Sequence, residues 1–326
     1  MARNRGETTR QTKALDHSDG VVESSNPTPE ESGNGGNGSG ERQGMRGALR
    51  QTWSAGDTLA LFLITLGAGV LRLFRVADPK GFIFDEVYYA KDACKYALGA
   101  VGSCRFDGVQ NEVHPPLGKW LVSLGIKVFG FDETGFRIMV VVGGTLTVAL
   151  LYLLGRALLD STLGASLAAA LLAIDPLHFV QSRTSMLDVF VPMFGVAAFL
   201  FLAYDRNSLI WSADGSRGGL FRRPWRLAAG IAAGGAVATK WSGVSMVAAV
   251  IVLSFVWEWS ARTRVKQKRG GAVLGTIRQE VPSIVLYCVV VPIAVYVVSY
   301  TGVHDITGLN EKPKRIEGNV LALPWS

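Results

Sequence analysis

Apolar residues fall in long runs along this 326-residue chain, and those runs constrain its fold more than any other feature. The first, DTLALFLITLGAGVLRLF at 57–74, approaches the roughly 20 helical residues needed to cross a bilayer's hydrocarbon core. Others follow at 136–158, 162–180, 184–204, 227–239, 241–257 and 281–300, giving seven expected spans. In lipid every backbone N–H and C=O must find an internal partner, and continuous runs of this length satisfy that as helices. The expected fold class is an all-α polytopic membrane protein. A charged fraction of only 18%, against 49% hydrophobic, is low for a soluble domain.

The net charge of +7 would suit a nucleic-acid partner, but its distribution points elsewhere. Arg206, Arg217, Arg222, Arg223 and Arg226 occupy 205–226, and Arg262, Arg264, Lys266, Lys268, Arg269 and Arg278 occupy 258–280. The opposing short connections near 175–184 and 239–242 hold only Arg183 and Lys240. This asymmetry follows the positive-inside rule, and nothing resembles a nucleic-acid-binding module. The expected arrangement is a multi-pass plasma-membrane protein with a cytoplasmic N-terminus and 75–135 as its first extracytoplasmic loop. Residues 1–50, polar and rich in Gly, Ser and Asn, are expected to form a disordered cytoplasmic tail and do not read as a secretory signal. The transmembrane core is expected over 51–302, and 303–326 form a short, atypical tail.

Ionisable residues recur where the apolar runs break. FIFDEVYYAKDA at 82–93 places Asp85 and Glu86 at a helix start. The plainest role for the pair is that Asp85 caps the helix and Glu86 complements its dipole; a carboxylate there can also act as a general base. NEVHPPLGKW at 111–120 carries His114 and Lys119 on a proline-stiffened turn entering an amphipathic, interfacial helix. Arg137 opens the next span. Asp175, His178, Gln181, Arg183 and Asp188 crowd the following break, and Lys240 interrupts the last, TKWSG, where the flanking runs form either a hairpin or one kinked span. Arg137, Arg183 and Lys240 share one side of the membrane in this topology and suit a lipid-linked phosphate. Cys94 and Cys104 share the outside loop, where a disulfide is permitted. Cys288 reads as a packing residue, as do Gly230 and Gly234 at small-xxx-small spacing. No His/Cys spacing suggests a metal site, and no cofactor is implied.

FIFDEVYYAKDA, EVHPPLGKWL, GFRIM, QSRTSMLD and ATKWSG, in this order over about residues 55–302, resemble the protein O-mannosyltransferases. The resemblance implies a GT-C-like helix bundle with a helical first extracytoplasmic loop. It also implies inverting transfer of mannose from a polyprenyl-phosphate mannose donor to Ser or Thr of a secreted polypeptide. Asp85 would take the hydroxyl proton and Glu86 would orient donor or acceptor. His114 and Lys119 belong to the matched loop motif, Arg137 would contact phosphate, and Arg183 and Lys240 are further substrate-binding candidates. Membrane lipids and the secretion machinery are implied partners. Members of the family usually continue through further spans, so a C-terminally shortened member is expected. Competing expectations are another polyprenyl-phosphate-sugar transferase acting on a lipid or glycan, a non-catalytic membrane partner, and a transporter.

Overall fold

The computed structural model describes residues 53–99, 102–106, 113–208, 223–264 and 269–301. The expected tails at 1–50 and 303–326, most of the first basic loop (209–222) and residues 265–268 of the second lie outside the described residues. Eleven α-helices and no strand are present among the described residues. They are α1 Ala55–Leu73, α2 Glu86–Leu98, α3 Leu117–Phe129, α4 Glu133–Leu159, α5 Thr162–Ile174, α6 Pro176–Gln181, α7 Phe190–Ser208, α8 Pro224–Thr239, α9 Val244–Arg264, α10 Arg269–Val285 and α11 Val291–Thr301. A π-helical turn at Leu286–Val290 joins the last two.

Among the described residues, five stretches are long and apolar enough to span a bilayer: Ala55–Leu73, Glu133–Leu159, Leu187–Ser208, Trp241–Ser260 and Glu280–Tyr300. The other two expected spans are shorter helices. The run 162–180 breaks at Asp175–Pro176, where the proline starts α6 and Asp175 accepts a hydrogen bond from His178 N at 2.7 Å. That leaves α5 with 13 residues, about 20 Å of helix. The run 227–239 becomes α8, with 16 residues. The break at TKWSG is a hairpin: Lys240 is extended, a 3-10 turn covers Trp241–Gly243, and α9 returns against α8.

Because lipid is as apolar as leucine, close backbone approach and polar contacts hold such a bundle together. Helix α8 shows this plainly. Ala229, Ala232 and Ala233 are buried against Ala197, Ala198 and Leu202 of α7, with Val250, Ile284, Tyr287 and Cys288 completing the cluster. On the opposite flank Gly230 meets the Tyr287 carbonyl and Gly234 meets Pro292 and Val295, where any Cβ would collide. The small-xxx-small pair therefore seats α8 against the π-turn and α11.

Charged helix ends collect at two poles. At one pole Ser54 caps α1 through a reciprocal box with Asp57, whose buried carboxylate also accepts from Tyr152 (3.1 Å), Thr162 (2.7 Å) and Arg156 Nη2 (3.3 Å), the Arg156 guanidinium forming an ion pair with it. At the same pole Arg223 and Arg226 of the α8 start are buried among Asp205, Glu258 and Glu280, from three other segments. The second pole carries the conspicuous motifs.

Candidate active site

Residues 74–89, 113–119, 182–188 and 239–241 meet at the second pole. The turn into α2 departs from the expected cap. Asp85 occupies the N-cap position but its side chain makes no capping hydrogen bond. Glu86, the first residue of α2, instead closes the turn before the helix: its Oε2 accepts from Ile83 N at 2.8 Å. The same carboxylate is fully buried in a two-pronged pair with Arg137, at 2.8 and 2.9 Å, and its Oε1 accepts from Ser185 N at 2.6 Å. Four hydrogen bonds consume its lone pairs, so Glu86 holds α2, the α4 start and the 182–188 loop together rather than orienting substrate.

Arg137 is engaged in the same way. Its Nε and Nη2 serve Glu86, its Nη1 donates to Val76 O (3.2 Å) and Pro79 O (2.9 Å), and its Nη2 also donates to Gly81 O (2.9 Å). All five N–H donors are occupied and the side chain is fully buried, leaving nothing for a phosphate. A buried guanidinium is stable only when paired and fully hydrogen-bonded, and this one is. Lys119 is likewise buried, 3.0 Å from Asp92 of α2, and so pins α3 to α2 instead of facing a substrate. Cys94 and Cys104 are joined by a disulfide with Cα atoms 5.5 Å apart, both buried in the cluster where α2, α3 and α4 pack.

With these groups engaged, a smaller set faces solvent. Asp85 is half-buried, and its contact is a long hydrogen bond from the Tyr89 hydroxyl at 3.4 Å. Burial, aided by the negative charges of Asp85 and Asp188, pushes the Tyr89 phenol above its ordinary range, so it stays a neutral donor. The His114 ring lies 5.9 Å from that of Tyr89. Burial first, then the charges of Lys240 and Lys119, hold His114 below its ordinary value, against the opposing pull of Asp188 and Asp85. Lys240 is half-exposed and reaches both oxygens of Asp188, at 2.8 and 2.9 Å.

Arg183 stands on the flank of this group. Its Nη2 donates to Phe74 O (2.7 Å) and Arg75 O (3.0 Å), tying the 182–188 loop to the end of α1. Its guanidinium covers the Phe179 ring at 5.4 Å, and its Nε is buried without a hydrogen-bond partner. Among the described residues no three His, Cys, Asp or Glu side chains converge on a metal position.

Two participants were not assigned from the sequence. Tyr89 lies four residues after Asp85 on the same helix, a spacing that brings side chains together and was a usable signal. Asp188 opens an apolar run much as Asp85 opens α2, but its pairing with Lys240 depends on a contact across 52 residues.

The arrangement is a half-exposed carboxylate with a neutral tyrosine beside it, opposite a lysine–aspartate pair and a neutral imidazole. It can remove a proton from a hydroxyl and hold an anionic leaving group. The chain matches the family described as dolichyl-phosphate-mannose-protein mannosyltransferase over residues 131–304. It is 33% identical over 260 residues to the polyprenol-phosphate-mannose–protein mannosyltransferase of Mycolicibacterium smegmatis, covering 73% of this chain and 48% of that protein. The Mycobacterium tuberculosis counterpart is 35% identical over 257 residues with the same coverage. Among solved structures, the Saccharomyces cerevisiae protein O-mannosyltransferase Pmt1-Pmt2 complex bound to the sugar donor shares the fold, with TM-score 0.57 and 24% identity over 81% of this chain and 36% of that one. Apo ArnT from Cupriavidus metallidurans has TM-score 0.50 and 19% identity over 79% of this chain and 45% of its own. The chain spans about half the length of the curated relatives it matches. With its GT-C-like helix bundle and this match over residues 131–304, the chain belongs to the dolichyl-phosphate-mannose–protein mannosyltransferase family.

Proposed function

We propose that the second pole transfers mannose from polyprenyl-phosphate mannose to Ser or Thr hydroxyls of a secreted polypeptide. The acceptor oxygen attacks the anomeric carbon, the bond from that carbon to the phosphate oxygen breaks, and polyprenyl phosphate leaves with the electron pair. The hydroxyl proton passes to Asp85. A single displacement of this kind inverts the anomeric centre. The leaving phosphate gains negative charge as it departs, so the cations near it matter more in the transition state than before it. Lys240, partly exposed and paired with Asp188, is assigned that task, with Arg183 as a second cation. Neutral His114 and Tyr89 supply hydrogen bonds to the sugar without competing for the proton.

The observation that carries this reading is the division of labour in the adjacent acids. Glu86 is wholly engaged by Arg137, Ser185 and Ile83, whereas Asp85 is uncapped and half-exposed in the same turn. The names of the matched relatives support the donor and the acceptor class. The basic loops at the opposite pole support an extracytoplasmic site, a cytoplasmic N-terminus and placement in the plasma membrane, where contact with secretion machinery would deliver the acceptor. The test uses membranes containing this chain, radiolabelled polyprenyl-phosphate mannose and a Thr-rich peptide. Transfer by the native chain and its loss in Asp85→Asn are expected; near-normal mannosylation by that variant would overturn the assignment. A second reading, transfer of another polyprenyl-phosphate-linked sugar, is favoured by 36% identity over 124 residues to an undecaprenyl phosphate aminoarabinose transferase of Pseudomonas paraeruginosa. Offering both donors to the same membranes separates the two.

A further inference from the structure

Phe84, the residue before Asp85, combines two properties that rarely coincide. It is 79% exposed, the highest value among the large apolar side chains described. Its backbone is left-handed, with φ at 53°. For a bulky L-residue that conformation is unfavourable, because Cβ crowds the following carbonyl; Gly, Asn or Asp adopt it far more readily. Such positions persist where the surroundings enforce them, and they cluster at functional sites.

Here the enforcement is visible. Glu86 N donates to Ile83 O at 3.1 Å, and Ile83 N donates back to the Glu86 carboxylate at 2.8 Å, closing a tight turn with Phe84 inside it. The Arg137 pair locks that carboxylate in place. The turn therefore needs a left-handed residue at 84, but nothing in it needs a phenyl ring. The ring gains no burial that would offset the unfavourable backbone, so what it contacts lies outside the described chain.

Whatever covers Phe84 is within one residue of the base, since consecutive Cα atoms are about 3.8 Å apart. A lipid tail laid there would strip water from the half-buried Asp85 carboxylate without replacing its hydrogen bonds, which is costly. An extended polypeptide meets both demands: apolar or Cβ-methyl groups on the ring, and hydroxyl and N–H donors for the carboxylate. Tyr88, the third residue of α2, is a second exposed aromatic near Asp85 in the chain, at 44%.

We propose that Phe84 is an acceptor-binding residue, its ring seating the polypeptide beside the hydroxyl that Asp85 deprotonates. This rests on the mannosyl-transfer reading for the role of Asp85. The test uses membranes containing the full chain. Phe84→Gly should raise KM for a Thr-rich peptide about tenfold, the scale of one aromatic contact. Donor KM should stay unchanged, and Tm should be equal or higher because glycine relieves the backbone. Phe84→Trp should keep the native peptide KM. An unchanged peptide KM in Phe84→Gly, or a lower Tm with both KM values moving together, would overturn the proposal. A second arm needs no turnover: p-benzoylphenylalanine in place of Phe84 is irradiated with a biotinylated Thr-rich peptide. Cross-linking to the peptide, competed by unlabelled peptide, supports the proposal. Cross-linking only to lipid, to another segment of this chain or to a second copy rejects it. If the native chain transfers no mannose at all, the mannosyl-transfer reading fails while the cross-linking arm still decides whether Phe84 binds peptide.

Discussion

At the pole where α1, α5 and α8 begin, Asp57, Arg156, Asp205, Arg223, Arg226, Glu258 and Glu280 are all buried and knitted into ion pairs that join successive helices. At the pole where α2, α4, α7 and α9 begin, similar residue types divide. Glu86, Arg137, Asp92 and Lys119 are buried in pairs, while Asp85, Asp188 and Lys240 stay half-exposed. Charge taken from water is tolerable only when each group gains a partner and its remaining hydrogen bonds. The first pole uses these buried charges to hold helices together; the second keeps Asp85, Asp188 and Lys240 beside the solvent, where the proposed chemistry needs them. The motifs of the second pole are thus a mixture of scaffold and chemistry, and adjacency in sequence does not sort them.

This contrast can be broken most severely at Asp85. Replacing it with Asn should lower mannosyl transfer by about 10²- to 10⁴-fold, the usual worth of a general base, with Tm and membrane insertion unchanged. Loss of insertion in that variant would show Asp85 to be scaffold after all. Next come the buried cations. Arg137→Ala at one pole and Arg223→Ala at the other should each cost about 3–5 kcal/mol of stability, because each leaves buried carboxylates without a partner. Thermal unfolding of both in detergent measures this, and an Arg137→Ala protein of native Tm but impaired donor binding would restore the phosphate-contact role. A smaller effect is expected at Lys240. Its truncation should raise donor KM about 10- to 100-fold, the range for a hydrogen bond to a charged group, with little change in Tm because the Asp188 left behind still reaches water.

The finest test concerns His114. Burial and the nearby lysines keep its imidazole neutral at pH values where an ordinary histidine starts to protonate. Removing the Lys240 charge should therefore raise the His114 pKa, while Asp188→Asn should lower it further, since a nearby anion stabilises imidazolium. Histidine-selective NMR titration reads both shifts, and a pKa indifferent to both variants would separate His114 from the Lys240–Asp188 pair.

How much of this was legible beforehand differs residue by residue. Asp85 and Lys240 stood out because each interrupts or borders an apolar run, where an ionisable group needs a reason to exist. The Asp85 cap was misjudged because an acid at a helix start usually caps it; in the structure the Asp85 side chain makes no capping bond, and Glu86 ties back to Ile83 in the turn before the helix. Arg137 and Lys119 were read as substrate contacts because a cation in a motif looks alike whether its partner is a phosphate or a carboxylate of the same chain.

Hydrophobic periodicity and the placement of prolines, glycines and charges are local properties, and they were enough to determine an all-helical bundle and the breaks at Asp175–Pro176 and TKWSG. Pairings such as Glu86 with Arg137, Lys119 with Asp92 and Lys240 with Asp188 span 27 to 52 residues and were decided only by the packing of the helices. The physical reason is that burial and partner choice, which determine whether a charge is structural or available, depend on what the rest of the chain brings within about 4 Å.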